Sequence, residues 1–176
     1  MSHNIAIYSS PIGLLAIHCS DKWVISIQFT QSTSIQKRPR NALMQEIFAQ
    51  LDHYFSGQSQ SFNLPLSMDE TPFRQQVYSA LIEIPYGETR TYKQLASKLN
   101  TAPRAVGQAC RHNPFMIVVP CHRIVAVNHD GGYAGNTSGP LMNIKRWLLQ
   151  HEYQHQVSPD DRSLGIAYAR ERMLCI

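Results

Sequence analysis

The chain has 176 residues, 43% of them hydrophobic, which suffices for one ordinary domain or two small ones with a packed core. No apolar stretch reaches the roughly eighteen residues of a membrane span, and the first residues lack the pattern of a secretory signal, so a cytoplasmic protein is expected. The formal net charge of +4 is concentrated in residues 71–152, where nine basic and four acidic side chains occur. This distribution favours a polyanionic partner such as DNA, bound weakly to moderately and in a salt-sensitive way.

Residues 1–70 predict a small α/β domain. Three apolar stretches separated by turn-forming residues predict a β-meander. These stretches are residues 5–8, 14–18 and 23–29. Residues 43–55 follow the i, i+3, i+4, i+7 pattern of an amphipathic helix. Residues 62–66 predict a short strand, which is expected at the edge of the sheet because its proline cannot lie in a central strand.

Residues 71–153 predict a helical domain. Thr71 and Pro72 are typical of an N-cap and a first helical residue. The predicted apolar face of that helix consists of Phe73, Val77, Leu81 and Ile82. Thr91 caps a second helix, and a third begins near Pro103. Two short helices joined by a tight turn in a basic segment predict a helix-turn-helix.

The sequence Pro-Cys-His-Arg at positions 120–123 follows the apolar residues 116–119, which predict a strand. A cysteine beside an imidazole and a guanidinium has neighbours that lower a thiol pKa and accept its proton, as a nucleophilic sulfur requires. The alternative is a small buried cysteine at a strand end. Residues 124–127 then predict a strand, residues 128–139 a loop and residues 144–151 a helix.

Cysteines are few: Cys19, Cys110, Cys121 and Cys175. Their wide spacing, without a secretory signal, favours free thiols over disulfides. No C-x-x-C pair and no convincing set of ligands is present, so neither a metal nor a cofactor is predicted. Residues 154–176 are predicted to form a C-terminal extension whose role the residues do not indicate.

Residues 113–125 resemble the active-site signature of the O6-alkylguanine-DNA alkyltransferases, also called methylated-DNA–protein-cysteine methyltransferases. The resemblance extends over residues 73–152. Further matching segments at similar spacings are residues 91–92, 104–107 and 147–149. It implies a ribonuclease-H-like sheet-plus-helix domain, followed by a winged-helix-like helix-turn-helix domain that carries the active site.

The resemblance implies that Cys121 is the alkyl acceptor, that His122 takes the thiol proton through a water molecule, and that Glu152 orients the imidazole. Tyr92 is implied to contact the extruded nucleotide's phosphate and to protonate the base as guanine leaves. Asn113 is implied to link the recognition helix to the active-site strand. Alternatives stay open: His122 need not face Cys121, because successive side chains of a strand point oppositely, and Glu152 could be a surface carboxylate.

By the same resemblance, the third helix enters the minor groove and Arg104 fills the place of the extruded base. Ala105 and Gly107 are small enough for close approach to DNA. The alternative roles are a plain phosphate contact for Arg104 and apolar packing for Tyr92. Arg123 is expected to have a structural role near the active-site turn or to be a surface cation.

The base pocket is predicted to be walled by Pro120 and Tyr133, since residues 132–135 match a Gly-Tyr-small-Gly segment of the family. A second alignment, over residues 135–139, makes Ser138 the polar pocket residue instead. Both alignments exist because residues 136–143 look partly inserted relative to the family. The size of alkyl group that the pocket admits is therefore left undetermined.

The resemblance thus implies DNA repair by direct damage reversal. The alkyl group of O6-alkylguanine, and of O4-alkylthymine, passes irreversibly to Cys121 of a monomer that acts once on double-stranded DNA without a cofactor. Three alternatives differ in chemistry: a non-catalytic relative that binds alkylated bases, a DNA-binding regulator with a structural cysteine, and a thiol hydrolase that uses Cys121, His122 and Glu152.

Overall fold

The computed structural model describes residues 4–33 and 41–156. The first domain begins with three antiparallel strands in the order β1-β2-β3, so the predicted meander is confirmed. The strands are β1 (Asn4–Ser10), β2 (Gly13–Cys19) and β3 (Val24–Thr30). Along β2, buried and partly exposed side chains alternate, because successive residues of a strand point to opposite faces. One face of the sheet therefore supplies the core of this domain.

Helix α1 (Ala42–Phe55) packs against this sheet. Its N-cap is Asn41, whose side chain accepts a hydrogen bond from the backbone N–H of Met44 at 2.8 Å. The helix residues that are fully buried recur every three or four positions, as the sequence pattern predicts. They are Met44, Ile47, Leu51 and Tyr54.

The predicted edge strand over residues 62–66 is wrong. Only Leu66 forms a single parallel bridge, with Val24 at the start of β3. The backbone N–H of Val24 donates to the carbonyl of Pro65 at 2.8 Å, whereas Pro65 itself has no N–H with which to extend a ladder.

The second domain begins with helix α2 (Pro72–Ile82), which Thr71 caps as predicted. Its apolar face ends at Leu81, because Ile82 is 49% exposed, contrary to the prediction. Strand β4 (Arg90–Thr91) leads directly into helix α3 (Tyr92–Lys98), which opens with a capping box between Thr91 and Gln94.

Helix α4 (Pro103–Arg111) follows α3 after a short turn and packs against both α3 and α2. The helix-turn-helix prediction is confirmed by this arrangement. Because α4 begins with a proline and an arginine at the surface, its N-terminal end faces outward while Val106 and Ala109 point into the core.

The strand predicted over residues 116–119 is wrong, because these residues form a tight turn. The backbone N–H of Val119 donates to the carbonyl of Phe115 at 2.9 Å, and Ile117 has a φ of +74°. A β-branched residue in this left-handed region is strained, so the turn must be held by its surroundings. The flanking residues Pro114 and Pro120 have no backbone N–H, so neither can donate a hydrogen bond to a neighbouring strand.

A single turn of 3₁₀-helix (Cys121–Arg123) follows and leads into strand β5 (Ile124–Val125). Strand β5 pairs in parallel with β4 and is shorter than predicted. Val127 lies beyond its end and is 72% exposed. The active-site sequence is therefore held between a strained turn and a two-residue strand.

Helix α5 (Pro140–Gln156) is longer than predicted at both ends. Residues 140–143, which look inserted in the sequence, form its first turn, with proline at the first helical position. The helix continues past residue 153, so its last turn belongs to the predicted C-terminal extension. Residues 157–176, including Cys175, lie outside the described residues, and the boundaries at 70 and 153 stay predictions.

The two halves share one hydrophobic core. The backbone of Ile27 in β3 donates to the carbonyl of Pro114 at 2.8 Å and accepts from the N–H of Met116 at 3.0 Å. These two hydrogen bonds join the first domain to the turn that precedes Cys121. No helix in the described part of the chain is long and apolar enough to cross a membrane.

Candidate active site

Cys121 lies at the wall of a cavity of about 400 Å³ between α3, α4 and the loop that follows β5. The thiol is 4% exposed, so it is reached only through this cavity. Among the other side chains of the cavity wall are those of Tyr92, Arg104, Arg111 and Tyr133. The cavity thus opens along the helix predicted to contact DNA, with the candidate nucleophile inside it.

Asn113 is the hydrogen-bond partner of the Cys121 sulfur. Its side-chain amide donates to Sγ at 3.3 Å and to the carbonyl of Val119 at 2.8 Å. Its side-chain oxygen accepts from the N–H of Phe115 at 2.9 Å. Asn113 is 3% exposed, and by these three contacts it holds the strained turn and the sulfur together.

Burial raises the pKa of the Cys121 thiol above its ordinary value, and the Asn113 amide and the Lys145 ammonium act against that rise. The expectation that the neighbouring imidazole and guanidinium lower this pKa is wrong. His122 and Arg123 both direct their side chains toward Glu152 instead. The resting sulfur is therefore a buried thiol that needs a base before it can react.

His122 and Glu152 are both fully buried and in contact, with 2.7 Å between Nε2 and Oε1. Although burial raises it, the pKa of Glu152 is held far below its usual range by the charges and hydrogen bonds of His122 and Arg123. Because Glu152 is a carboxylate, Nε2 of His122 must carry the proton and donate it. Nδ1 is then left as the acceptor of the neutral ring.

His122 is suited to receive a proton at Nδ1. This atom is buried and has no hydrogen-bond partner among the described residues. Burial lowers the pKa of His122 below its ordinary value, so the imidazole is neutral at physiological pH. Cys121 and His122 lie in a 3₁₀ turn and not in a strand, so the strand alternation on which the objection from the sequence rested does not apply here.

Arg123 is 6% exposed and binds Glu152, so it has the structural role that the resemblance implies and is not a surface cation. Its Nε donates to Oε2 at 2.8 Å and its Nη2 to Oε1 at 3.0 Å. Its Nη1 donates to the carbonyl of Ile84 at 2.6 Å, and its guanidinium lies 5.6 Å from the centre of the Tyr86 ring. This bidentate pair neutralises the buried carboxylate and fixes its orientation.

Sequence reasoning missed Lys145, which is fully buried on α5. Its Nζ donates to the carbonyls of Ile124 at 2.5 Å and Gly132 at 2.9 Å. Burial lowers the pKa of Lys145 to about 8. A signal was present, since Met142, Lys145 and Leu148 follow one another at three-residue spacing, so the lysine interrupts an apolar stripe.

Tyr92, at the start of α3, also bonds to Gly132: its hydroxyl donates to the carbonyl at 3.4 Å. Burial raises the pKa of Tyr92 to about 12. Gly131, with a φ of +75°, leaves room for the ring, because a Cβ there would lie 2.8 Å from Cε2 of Tyr92. Lys145 and Tyr92 therefore hold the same loop over the cavity.

Of the predicted DNA-contacting residues, Arg104, Ala105 and Gly107 lie on α4, and Tyr92 begins α3. Arg104 is exposed near the start of α4 and lines the cavity, as does Gly107 one turn later. Ala105 is half-buried and does not line the cavity. Their contacts with DNA stay predictions.

Of the three residues predicted to form the base pocket, only Tyr133 lines the cavity. Tyr133 is 2% exposed and lines the cavity, and its hydroxyl has no hydrogen-bond partner within the described segments. Pro120 is buried, Ser138 is exposed, and neither lines the cavity, whereas Asn136 and Thr137 do. The base-binding roles of all three predicted residues stay predictions, with Tyr133 the best placed.

The described residues contain no group of three or more side chains able to hold a metal ion. His151 and His155, one helical turn apart on α5, make other contacts. His151 Nε2 lies 2.9 Å from the carbonyl of Tyr54, and His155 Nδ1 lies 2.7 Å from the carbonyl of His151. Cys19, Cys110 and Cys121 are free thiols.

Fold and site together define a two-domain protein with a thiol nucleophile set behind a helix-turn-helix. Two family models match the chain: the 6-O-methylguanine DNA methyltransferase ribonuclease-like domain over residues 5–68, and the DNA-binding domain of the same name over residues 72–154. The chain therefore belongs to the 6-O-methylguanine DNA methyltransferase family.

Individual relatives and solved structures of the same family are similar to this chain over most of its length. A methylated-DNA–protein-cysteine methyltransferase of Saccharolobus islandicus is 36% identical over 146 residues, which cover 83% of this chain and 93% of the relative. A probable enzyme of the same name from Acanthamoeba polyphaga mimivirus is 41% identical over 84% of this chain and 95% of its own. The O6-methylguanine methyltransferase of Mycobacterium tuberculosis superposes with a TM-score of 0.77 at 31% identity, covering 93% of this chain and 99% of that one. A structure of the M. tuberculosis protein in complex with DNA gives a TM-score of 0.72 at 34% identity, covering 86% of this chain and 93% of that one.

Proposed function

We propose that this protein repairs double-stranded DNA by transferring the alkyl group of O6-alkylguanine, and of O4-alkylthymine, irreversibly to Sγ of Cys121. The observation that carries the proposal is the position of Cys121 in a cavity bordered by α4. It is supported by the buried His122–Glu152 pair, whose histidine follows Cys121 directly in the chain. A cysteine sulfur suits displacement at a saturated carbon, because the thiolate is a strong and soft nucleophile.

The reaction begins with removal of the thiol proton. His122 accepts it at Nδ1 by way of a water molecule, while Nε2 keeps its hydrogen bond to Glu152. The carboxylate stabilises the imidazolium that forms, as the third member of a catalytic triad does. The charge that develops on the sulfur is stabilised by the Asn113 amide and by the Lys145 ammonium.

The alkyl transfer is a single displacement. The S–C bond to Cys121 forms while the C–O6 bond breaks, and the electron pair of that bond goes to the guanine. We assign the proton that the leaving base receives to the hydroxyl of Tyr92, because Tyr92 lines the cavity. Because the product is a thioether, cellular thiols do not reverse it, and each molecule acts once.

Access to a base in a duplex requires the nucleotide to be extruded. We assign this step to α4, where Arg104 fills the vacated place in the stack and Ala105 and Gly107 allow close approach to the minor groove. All groups used in the reaction come from one chain, so we propose a monomer. A cytoplasmic location is proposed because a reactive thiol has to be kept reduced.

The test is incubation with duplex DNA that carries one O6-methylguanine, followed by intact-mass measurement and peptide mapping. We expect a gain of one CH2 group on Cys121, at one equivalent per molecule, and no gain in the Cys121→Ser variant. Restored guanine without a modified protein would contradict the proposal. Binding without either change would favour a non-catalytic relative, and turnover of esters without DNA would favour a thiol hydrolase.

A further inference from the structure

The first domain reaches the catalytic carboxylate through one side chain. The hydroxyl of Tyr54, near the end of α1, donates to Oε1 of Glu152 at 2.7 Å, although the two residues are 98 positions apart in sequence. Oε1 is the same oxygen that contacts Nε2 of His122, also at 2.7 Å. These two donors share this acceptor atom with a third, Nη2 of Arg123, which lies 3.0 Å from it.

Tyr54 is held in this position from all sides. It is fully buried and packs edge-on against Tyr86, with ring centres 5.9 Å apart. The ring of Phe62 lies 5.2 Å away and is tilted by 33° from that of Tyr54. The backbone carbonyl of Tyr54 is bonded to His151 on α5. A merely space-filling phenyl ring would satisfy this packing, so the hydroxyl has a separate role.

The remaining positions on the carboxylate are also occupied. Oε2 accepts from Nε of Arg123 and from the backbone N–H of Gly87 at 3.1 Å. The titratable and charged groups around the Glu152–His122 pair come from α1, the loop after α2, the 3₁₀ turn, the loop after β5 and α5 itself. They are Tyr54, Tyr86, Cys121, Arg123, Tyr133, Lys145 and His151. Of these, Tyr54 is the neutral donor that shares Oε1 with the imidazole.

We propose that Tyr54 is a positioning residue for the reaction, which fixes the carboxylate of Glu152 and moderates the basicity of His122 by competing for Oε1. This inference rests on the proposed function. A hydrogen bond donated to an oxygen lowers the negative charge that the oxygen offers to a second donor. The imidazolium of His122 is thereby stabilised less, and the ring stays neutral at lower pH.

The variant Tyr54→Phe tests this. Without the hydroxyl, Oε1 interacts more strongly with His122, so the pKa of the imidazole rises. Because the neutral ring is the base, the acid limb of the alkylation rate against pH moves to higher pH, by about half to one unit. The rate at neutral pH falls by at most about threefold, because the pKa of the wild-type ring lies below its ordinary value of 6.5 and most of the ring is already neutral there.

The matched control is Tyr8→Phe, which removes another tyrosine–carboxylate hydrogen bond in the same domain. Tyr8 donates to Asp52 at 2.6 Å. We expect this variant to lose stability without any shift of the acid limb. A purely structural role of Tyr54 would produce that same result in Tyr54→Phe.

The measurement is the rate at which Cys121 gains the methyl group from O6-methylguanine duplex DNA, across about pH 5 to 9. If the wild type never gains it, the proposed function fails. If the wild type reacts and the acid limb of Tyr54→Phe coincides with it, only the inference about Tyr54 fails. Should Tyr54→Phe not fold, 3-fluorotyrosine incorporated at position 54 keeps the shape and donates more strongly. The limb must then move to lower pH, and an unmoved limb overturns the inference.

Discussion

Replacing Asn113 by aspartate alters the sulfur's environment at nearly constant side-chain volume. The substitution removes the amide that donates to Sγ of Cys121 at 3.3 Å and to the carbonyl of Val119 at 2.8 Å. It keeps an oxygen for the N–H of Phe115. The thiolate then loses a donor and faces an acid that disfavours a second negative charge nearby.

The size of the effect follows from the lost bond. A hydrogen bond to a charged acceptor contributes about 1.5–3 kcal/mol, and 1.36 kcal/mol corresponds to about one pKa unit. The pKa of Cys121 should therefore rise by about one to two units, and alkylation near neutral pH should slow by about 10- to 100-fold. The turn that contains Ile117, at a φ of +74°, also loses a support, which lowers the free energy of unfolding by about 1–3 kcal/mol.

The pKa is measured from the pH dependence of carboxamidomethylation of Cys121 by iodoacetamide, and stability from urea unfolding. The control Asn143→Asp makes the same chemical change at an exposed position on α5 and should alter neither the thiol nor the rate. If the thiol pKa of Asn113→Asp stays at the wild-type value, the assigned role of the amide is wrong, whatever the stability.

Three further substitutions test other parts of the site. Gly131→Ala places a methyl group 2.8 Å from Tyr92, and we expect the displaced ring to raise the activation free energy of alkylation by about 1.4 kcal/mol or more, which is a tenfold or greater loss of rate. The control Gly139→Ala, at a φ of +79° with nothing within 4 Å, should affect stability alone. Urea unfolding and alkylation rates on methylated duplex DNA separate the two outcomes. Lys145→Met should raise the pKa of the Cys121 thiol and remove a pH dependence of stability. In the folded protein the pKa of Lys145 is lowered from 10.5 to about 8, so the unfolded chain binds more protons between those values and the free energy of unfolding of the wild type rises with pH there. That rise should be missing from the urea midpoints of the variant. Arg104→Ala should slow repair of duplex DNA by about tenfold or more, since extrusion costs a few kcal/mol, with the free base O6-methylguanine reacting at an unchanged rate; equal losses on both substrates would contradict a role in extrusion.

Local features of the fold were predictable where neighbouring residues decide them. The meander, α1 and the Thr71 and Thr91 caps follow from period, turn residues and capping chemistry acting within a few positions. Errors arose where packing decides. Residues 116–119 predict a strand from their apolar composition, but the flanking prolines and the bond from Asn113 to Val119 fold them into a turn.

The chemical groups of the site could be identified from the chain alone: the Pro-Cys-His-Arg run, a basic helix-turn-helix and a glutamate after the tryptophan helix, because such signals are local in the chain. The protonation and partners of these groups depend on how the chain packs. Burial makes Cys121 a weak acid, and it turns Arg123 from a surface cation into the partner of Glu152. Tyr54 and Lys145 belong to the site for the same reason, since their contacts span 98 and 21 positions of the chain. The periodicity of α1 and α5 indicates that both side chains are buried, but only the tertiary structure decides which groups they contact.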